Sequence, residues 1–269
     1  MPNRNYQQMK NQKRPQQQSD DLKKDIILGR NAVTEALKAG RTINRLLIAE
    51  GSRDGSIQKL IALAKDKQIV IESLSRDRLD KIADNQRHQG VIAYSAPVEY
   101  ATLEEVLQVA EDRHEPPFII LLDELEDSHN FGTILRTADA VGVHGVLIPK
   151  RRSVSLNSTV AKTSAGAIEY VKVAQINNVA QTLKQLKDLN ITVIGSDMEG
   201  IDIYDDVSRV DFKAPIVLII GSEGKGMRRL TKENCDYLLK IPMVGRINSL
   251  NASVAAAILM YEICRQRRK

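Results

Sequence analysis

Short apolar segments that alternate with helix-like stretches dominate the second half of this chain. The segments occupy residues 118–123, 145–149, 171–176, 191–196, 216–222 and 237–242. A strand that is apolar along its whole length is usually buried on both faces, as in a parallel sheet covered by helices. The pattern therefore predicts a parallel α/β domain over residues 117–269, and no internal repeat is evident.

A smaller α/β unit is predicted over residues 25–95. Its segment "GRNAVTEALKAG" has the pattern of a helix, with Asn31 in the N-cap position and Gly40 just past the end. Further helices are expected near residues 56–67 and 75–84, and strands at 43–49, 69–71 and 90–95.

Residues 96–116 have the features of a linker between the two units. They contain a charged helix with a capping-box pattern, Thr102 followed three residues later by Glu105, and few large apolar side chains. The segment ends at Pro116–Pro117, a pair that interrupts regular structure.

The first 24 residues are rich in Gln, Asn and Lys and contain almost no large apolar side chain. Such a segment buries too little surface to offset the entropy of ordering, so we expect a flexible tail. It lacks the apolar stretch of a secretory signal, and no run in the chain approaches the ~20 apolar residues that span a bilayer. We therefore expect a cytoplasmic protein with no membrane contact.

Metal and thiol chemistry are not indicated. The histidines and cysteines are scattered without the spacing of a metal site, at His88, His114, His129, His144, Cys235 and Cys264. We expect no bound metal, and we interpret both cysteines as small side chains in apolar surroundings.

The charge balance favours a polyanionic partner. The chain has a net charge of +5 and a pI of about 9.1. Aromatic residues make up 4% of the chain, and Trp is absent, which argues against a surface built on base stacking. If the partner is RNA, contact with its phosphates and recognition of its shape are therefore favoured over base stacking.

Three loops at the ends of predicted strands have unusual polar content: residues 127–142, 221–227 and 241–251. Ligands of parallel α/β sheets gather beyond the carboxyl ends of the strands. The third loop leads directly into a helix, whose first turn offers free backbone N–H groups and a partial positive charge.

The second loop, "GSEGKG", does not match the common nucleotide-binding fingerprints. A Walker loop that begins at Gly221 needs Lys and then Ser or Thr after Gly226, where the chain has Met227 and Arg228. A dinucleotide fingerprint that begins at Gly224 needs glycine at position 229, which is Arg. A nucleotide-phosphate enzyme built on this loop is therefore excluded by spacing.

In order and spacing, the stretches "NFGTILRTADAVGV", "IIGSEGKGM" and "IPMVGRINSLNASVA" resemble the three motifs of the SpoU (TrmH) family of RNA ribose 2′-O-methyltransferases. The resemblance covers residues 118–269. "ILGRNAVTEALKAG" and "RHQGV" (87–91) are further similar to the L30e-like substrate-binding domain of the branch that methylates guanosine in 23S ribosomal RNA.

The resemblance implies a trefoil-knotted (SPOUT-type) parallel-sheet domain beside the small N-terminal α/β domain. It also implies S-adenosylmethionine as methyl donor, ribosomal RNA as substrate, and a homodimer formed through the knotted domain. General topology rules would exclude such threading, because true knots are rare exceptions. The knot is an expectation from the resemblance alone.

The resemblance assigns roles to individual residues as well. Those expected at the methyl donor are Gly221, Ile241, Met243 and Leu250. Those expected at the catalytic centre are Asn130, Arg136, Glu223, Ser249 and Asn251. Arg136 is the leading candidate to assist removal of the ribose proton, although a guanidinium with a pKa above ~12 is a poor base. We interpret it as a phosphate clamp that stabilises developing alkoxide charge.

Two alternatives stay open. A transfer RNA ribose methyltransferase is less favoured because such relatives usually lack the N-terminal domain. A noncatalytic RNA-binding protein on the same scaffold is less favoured because binding alone would not need Ser249 and Glu223.

Overall fold

The computed structural model describes residues 26–52, 54–204, 209–246 and 249–268. The predicted tail, residues 1–24, lies outside the described residues. The described chain divides into two compact units. The smaller unit contains residues 26–30 and 42–97, and the larger unit contains residues 31–41 and 98–268.

The smaller unit is built on a four-stranded mixed sheet in the order β1-β4-β2-β3. The strands are β1 (Ile26–Leu28), β2 (Ile43–Ala49), β3 (Val70–Leu74) and β4 (Val91–Ser95). Only β2 and β3 run parallel, whereas β4 is antiparallel to both of its neighbours. Helices α2 (Gly55–Asp66) and α3 (Arg76–Ile82) connect the strands, close to the positions predicted from sequence.

Helix α1 (Arg30–Lys38) differs from its prediction at its start. Asn31 lies inside the helix and is not its N-cap, because the Arg30 backbone N–H is satisfied by Gln89 Oε1 at 3.2 Å. The end agrees with the prediction. Gly40 has a left-handed φ of 81°, and Arg41 N donates to Ala36 O at 3.0 Å, which is the Schellman arrangement.

The predicted linker, 96–116, is not a free connector from residue 98 onward. Helix α4 (Leu103–Asp112) has the expected capping box, but it also buries Val106 and Ala110 in the larger unit. Val106 belongs to an apolar cluster with residues of the parallel sheet, and Ala101 N donates to Val173 O at 2.8 Å. A few well-placed apolar residues, with the partly buried Leu103 and Leu107 beside Val106 and Ala110, therefore attach a segment whose average composition is polar.

The larger unit contains a six-stranded sheet in the order β10-β8-β9-β5-β6-β7, and every pairing in it is parallel. The strands are β5 (Phe118–Asp123), β6 (Gly145–Pro149), β7 (Lys172–Ile176), β8 (Thr192–Asp202), β9 (Ile216–Gly221) and β10 (Tyr237–Lys240). All six predicted strands are present. The main difference is β8, which continues to Asp202 and pairs with β10 through a register shift between Leu238 and Leu239.

Helices cover both faces of this sheet. They are α5 (Ser128–Val141), α6 (Ser158–Thr163), α7 (Val179–Asp188), α8 (Arg229–Glu233) and α9 (Ala252–Arg267), with a 3-10 turn at Ala167–Glu169. Alternate residues of β5 enter different apolar clusters, Ile120 on the side of α5 and α9 and Ile119 on the side of α4 and α7. The sheet is thus buried on both faces, as its apolar strands predict.

The last helix returns to the centre of the unit, where α9 packs on α5. Its final turn is held by Arg267, whose guanidinium donates to the carbonyl oxygens of Phe212, Pro116, Pro117 and Ala214 at 2.8–2.9 Å. Arg267 also lies 4.9 Å above the Phe118 ring. These contacts fix α9 at the beginning of β5, so the start of α9 is directed to the carboxyl edge of the sheet. Within the described ranges, no helix has the length and apolar character needed to cross a membrane.

Candidate functional site

Asn130 is positioned by the start of α5. Asp127 is the N-cap of that helix, and its side chain accepts a hydrogen bond from Asn130 N at 2.7 Å. The residue is 7% exposed. A buried amide needs hydrogen-bond partners, which directs its side chain toward polar groups on neighbouring loops.

Glu223 is presented by a tight hairpin that follows β9. Ser222 N donates to Gly226 O at 3.1 Å, and Gly226 N donates to Ser222 O at 3.0 Å. A Cβ on Gly221 would lie 2.4 Å from Met227 N, so only glycine allows the hairpin to fold back against the strand. Gly221 therefore has a structural role of its own, and its predicted contact with a cofactor stays a prediction.

Asn251 is the N-cap of α9. Its Oδ1 accepts from Ser253 N at 3.0 Å, from Ser253 Oγ at 2.7 Å and from Val254 N at 3.3 Å. With Oδ1 directed into the helix, the Asn251 Nδ2 group must point outward to acceptors elsewhere.

These acceptors belong to the other two loops. Asn251 Nδ2 donates to Asn130 Oδ1 at 3.0 Å and to Glu223 Oε1 at 2.9 Å, and Asn130 Nδ2 donates to the same Glu223 oxygen. We call Asn130, Glu223 and Asn251 the Asn–Glu–Asn cluster. Asn251 thereby orients the amide of Asn130. Both amides donate to Glu223 Oε1, so the second oxygen, Glu223 Oε2, has no hydrogen-bond partner among the described residues. The cluster can accept a hydroxyl proton at this exposed oxygen.

Arg136 is exposed on the same helix as Asn130. Within the described chain, its guanidinium has no hydrogen bond or ion pair. The predicted catalytic set is therefore brought together only in part: three members contact one another, and Arg136 stands apart with its donors available to a ligand.

The remaining predicted residues lie in the loop between β10 and α9. Ser249 and Leu250 are exposed and directly precede Asn251, and Met243 is exposed. Ile241 is partly buried and packs against the main apolar core. Met243 and Leu250 keep 39% and 38% of their surface exposed. Apolar side chains held open beside a polar cluster fit the adenosine part of S-adenosylmethionine, so this loop could hold the expected cofactor.

A buried ion pair at this edge of the sheet was not predicted from the sequence. Asp123, at the end of β5, is fully buried and accepts from Arg228 Nε at 2.8 Å and from Arg228 N at 2.9 Å. An acidic residue that ends a buried strand was the available signal. Ser253, which donates to Asn251, gave no comparable signal.

Among the described residues, no group of three or more His, Cys, Asp and Glu side chains is placed to hold a metal ion. Burial raises the pKa of the Cys235 thiol to about 12, which keeps it protonated and unreactive at neutral pH.

The smaller unit contains a basic cavity of about 530 Å³ where its two recognised motifs meet. Arg30 Nε donates to Gln89 O at 3.0 Å, and Arg30 also pairs with Asp54 at 2.9 Å. His88 is 4% exposed, accepts from Gly90 N at Nδ1 and contacts Asp80 through Nε2 at 2.8 Å. The other cations of the cavity, Arg76 and Arg87, are exposed.

Comparison with known proteins agrees with the two units. Residues 117–261 match the SpoU rRNA Methylase family, and residues 26–101 match a family described as RNA 2′-O ribose methyltransferase substrate binding. YacO of Bacillus subtilis (strain 168), assigned to the TrmH family of tRNA/rRNA methyltransferases, is 50% identical over 243 residues, which cover 90% of this chain and 96% of that protein.

Solved structures show the same fold. A crystal structure of an RNA 2′-O ribose methyltransferase superposes with a TM-score of 0.75 at 25% identity, over 95% of this chain and 93% of the other. The SpoU methyltransferase AviRb from Streptomyces viridochromogenes, in complex with AdoMet, superposes with a TM-score of 0.73 at 22% identity, over 95% and 94%.

Fold, motifs and matches together define an RNA methyltransferase with a separate substrate-binding unit. The chain belongs to the SpoU (TrmH) family of RNA methyltransferases. The predicted fold class, a parallel-sheet α/β domain with a small N-terminal α/β domain, is confirmed, and the trefoil knot itself stays a prediction.

Proposed function

We propose that this protein transfers a methyl group from S-adenosylmethionine to the ribose 2′-hydroxyl of a guanosine in 23S ribosomal RNA. The observation that carries the proposal is the Asn–Glu–Asn cluster, which joins all three motif loops of the family by direct hydrogen bonds. A fold alone does not imply an activity, but a polar cluster built from these three loops gives the fold a reactive site.

The methyl donor supplies an already activated methyl group when bound. The chain must therefore position the ribose hydroxyl and manage its proton. Glu223 Oε2 is the acceptor we assign to the hydroxyl, because its other oxygen is engaged by Asn130 and Asn251. In this proposal the oxygen–methyl bond forms as the sulfur–methyl bond of the donor breaks, and the hydroxyl proton passes to Glu223 Oε2. Ser249, exposed two residues before Asn251, is proposed to relay that proton onward to water.

Arg136 is proposed to bind a phosphate of the target nucleotide and to stabilise negative charge on the reacting oxygen. Its exposed guanidinium has no partner among the described residues, so a phosphate would displace no existing contact. A planar fork of donors binds phosphate in bidentate fashion, whereas it does not act as a base at neutral pH.

The cofactor assignment rests on the loop after β10 and on the hairpin after β9. Ile241, Met243 and Leu250 are proposed to contact the adenosine part, and Gly221 brings the backbone of β9 close to it. The exposed apolar side chains of Met243 and Leu250 fit this role better than a purely structural one, and Ile241 would support them from the edge of the core. The proposed reaction uses no metal.

The smaller unit is proposed to bind the RNA substrate. Its cavity contains Arg30, Arg76 and Arg87, and the family matched by residues 26–101 is described as substrate binding. Arginines of this kind bind phosphates and position an RNA without reading its sequence. We propose that this unit supplies most of the affinity for ribosomal RNA.

We further propose a homodimer formed through the larger unit in the cytoplasm. Large side chains are exposed on or near α9, with Val254 46%, Tyr261 56% and Tyr204 58% accessible. Tyr204 and Tyr261 also line a cavity of about 500 Å³ beside Ile258. Apolar surface of this kind on a monomer is typical of a contact with another chain.

A transfer RNA substrate is the second candidate, because the relative YacO is described as a tRNA/rRNA methyltransferase. The test is to map 2′-O-methylated riboses by their resistance to alkaline cleavage, in cells that lack the gene. We expect one guanosine of 23S ribosomal RNA to lose protection and to regain it with the wild-type gene but not with Arg136→Ala. Loss confined to transfer RNA would support the second candidate, and no loss in either RNA would indicate a noncatalytic protein.

A further inference from the structure

A second cavity, of about 690 Å³, lies in the larger unit at the carboxyl edge of its sheet. It is formed by the segments that follow β6, β7 and β9. Its cationic side chains are Arg151, Arg152, Arg228 and Arg229. None of these arginines lies in the three predicted motif loops, although Arg228 directly follows the second, and no assigned role accounts for them.

We call this space the arginine cavity. Three of its four arginines are paired with acids, which leaves a net positive charge. No carboxylate is among the described residues that line it. Three nearby acids pair with the arginines from outside: Asp123 with Arg228 at 2.6 Å, Glu124 with Arg152 at 3.5 Å, and Glu233 with Arg229 at 2.9 Å. Glu124 also lies 3.7 Å from Arg228.

The remaining arginine, Arg151, has no side-chain partner in the part of the chain that the structure describes. Arg152 and Arg229 are 78% and 83% exposed, so their guanidinium donors are only partly used by their acidic partners. Four arginines directed at one open space form a binding site for anions.

Arg228 gives this cavity a fixed wall. Its backbone N and its guanidinium both donate to the fully buried Asp123 carboxylate. A buried carboxylate requires such a partner, and the pairing holds the Arg228 side chain in one geometry. Arg151, Arg152 and Arg229 lie around it on exposed loop and helix-end positions.

Two short chain segments connect the cavity to the Asn–Glu–Asn cluster. The hairpin that presents Glu223 ends at Gly226. Arg228 lies two residues further along the chain, which is at most about 8 Å of backbone. Asp123 precedes Asp127, the cap that positions Asn130, by four residues. The backbone of Arg228 therefore lies within about 18 Å of Glu223, a separation that a short stretch of an RNA strand can span.

We propose that the arginine cavity binds backbone phosphates of the RNA strand next to the target ribose. This inference rests on the proposed function, because it takes RNA as the substrate. A free nucleotide fits less well, since no aromatic side chain lines the cavity to stack on a base. Phosphate contacts at this position would fix the register of the strand without reading its sequence.

The test compares Arg151→Gln/Arg229→Gln with a control of equal charge change, Lys184→Gln/Lys213→Gln, whose exposed lysines lie outside the cavity. Binding of the full chain to a fluorescent, mixed-sequence 20-nucleotide RNA is measured by anisotropy over a range of salt concentrations. Each lost single-strand phosphate contact lowers the slope of log K against log salt by about 0.7. The arginine variant should lose about 1.4 in slope and bind roughly twentyfold more weakly at 0.1 M salt.

Arg151→Lys/Arg229→Lys is a rescue variant, because lysine keeps the charge that releases counterions. It should restore most of the slope, and all variants should melt at similar temperatures because the changed side chains are exposed. The proposal is overturned if the arginine-to-glutamine variant has the slope of the lysine control, or if lysine fails to restore the slope. Methylation of RNA by the wild-type protein is measured separately. The comparison of salt slopes can therefore be interpreted even if the protein does not methylate RNA.

Discussion

Asn251 donates its Nδ2 group to Asn130 Oδ1 at 3.0 Å, although 121 residues separate the two in the sequence. The contact forms because α9 packs on α5, which brings the start of one helix beside the start of the other. The Asn251 side chain thus both caps α9 and orients the amide of Asn130. These two roles can be separated by substitution.

Asn251→Ser should keep stability and lose activity. Serine caps a helix about as well as asparagine, but it is too short to reach Glu223 and Asn130. We expect the free energy of unfolding to change by less than about 0.5 kcal/mol and turnover to fall at least tenfold. Asn251→Ala should lose turnover and also about 1 kcal/mol of stability, because it removes the cap.

The control for this comparison is Thr102→Ala, which removes the cap of α4 away from the cluster. It should cost about 1 kcal/mol of stability and leave turnover unchanged. Chemical denaturation and single-turnover methylation give the two quantities. Full turnover in Asn251→Ser would show that the Nδ2 contacts are not needed for the reaction.

Arg136→Ala should reduce turnover by about 10²–10³, the usual effect of removing a group that stabilises transition-state charge. Stability should change by less than about 0.5 kcal/mol, because Arg136 is exposed and lacks a partner among the described residues. Binding of S-adenosylhomocysteine, measured by calorimetry, should be unchanged. Arg136→Lys should also be slow, and near wild-type turnover in that variant would contradict the bidentate clamp.

Much of the larger unit could be predicted from the sequence because its strands are uniformly apolar. The pattern located all six strands, and five of them within two residues at each end. The extension of β8 to Asp202 could not be predicted, since its outer part is polar and is held by pairing with β10. Average composition also concealed the attachment of residues 98–112, which depends on the buried Val106 and Ala110 and on a few partly buried apolar side chains of the same segment.

Gly145→Ala and Val106→Ala should show coupled effects on stability. A Cβ on Gly145 would lie 2.6 Å from a methyl group of Val106, so α4 approaches β6 only because this residue is glycine. We expect each single change to cost about 1–3 kcal/mol, and the double variant to cost clearly less than the sum. Denaturant melts of the four proteins measure this coupling, and strict additivity would mean that α4 does not pack here.

The stability of the larger unit should fall in mild acid because of His144. Burial lowers the pKa of this histidine, whose Nδ1 accepts from Phe118 N at 2.9 Å. The unfolded chain therefore takes up the proton at a higher pH than the folded chain does. The resulting stability is fully present above the ordinary pKa of about 6.5 and is lost as pH falls below it.

His144→Asn keeps an acceptor near Phe118 N but cannot titrate. It should be less stable than the wild-type protein at pH 7.5, yet its stability should decline less between pH 7 and pH 5. Thermal melts over this range provide the measurement. Parallel curves for the two proteins would assign the acid sensitivity to other groups.

The sequence indicated which loops form the candidate site, but not how their side chains are arranged. The resemblance named Asn130, Glu223 and Asn251, and the structure shows them hydrogen-bonded to one another. Sequence order could not show that Asn251 Oδ1 is used by its own helix, which decides how both amides point. The buried pair of Asp123 and Arg228 depends on a contact across 105 residues and was likewise out of reach.

Binding of the methyl donor should not require a metal. We expect S-adenosylhomocysteine to bind with similar heat in the presence and absence of EDTA, because apolar and backbone groups form the proposed cofactor site. Leu250→Asp should weaken this binding at least tenfold by placing a charge against the adenosine, whereas Lys213→Gln serves as a distant control. Strict dependence on a divalent cation would contradict the assignment.

The proposed reaction is the transfer of a methyl group to a ribose 2′-hydroxyl. The most direct measurement incubates the full chain with S-adenosylmethionine and unmodified 23S ribosomal RNA, digests the RNA to nucleosides, and identifies the methylated product by mass spectrometry. We expect 2′-O-methylguanosine with the wild-type protein, formed about 10²–10³ times more slowly with Arg136→Ala. A product methylated on the base, or no product from a folded protein that binds the methyl donor and the RNA, would contradict it.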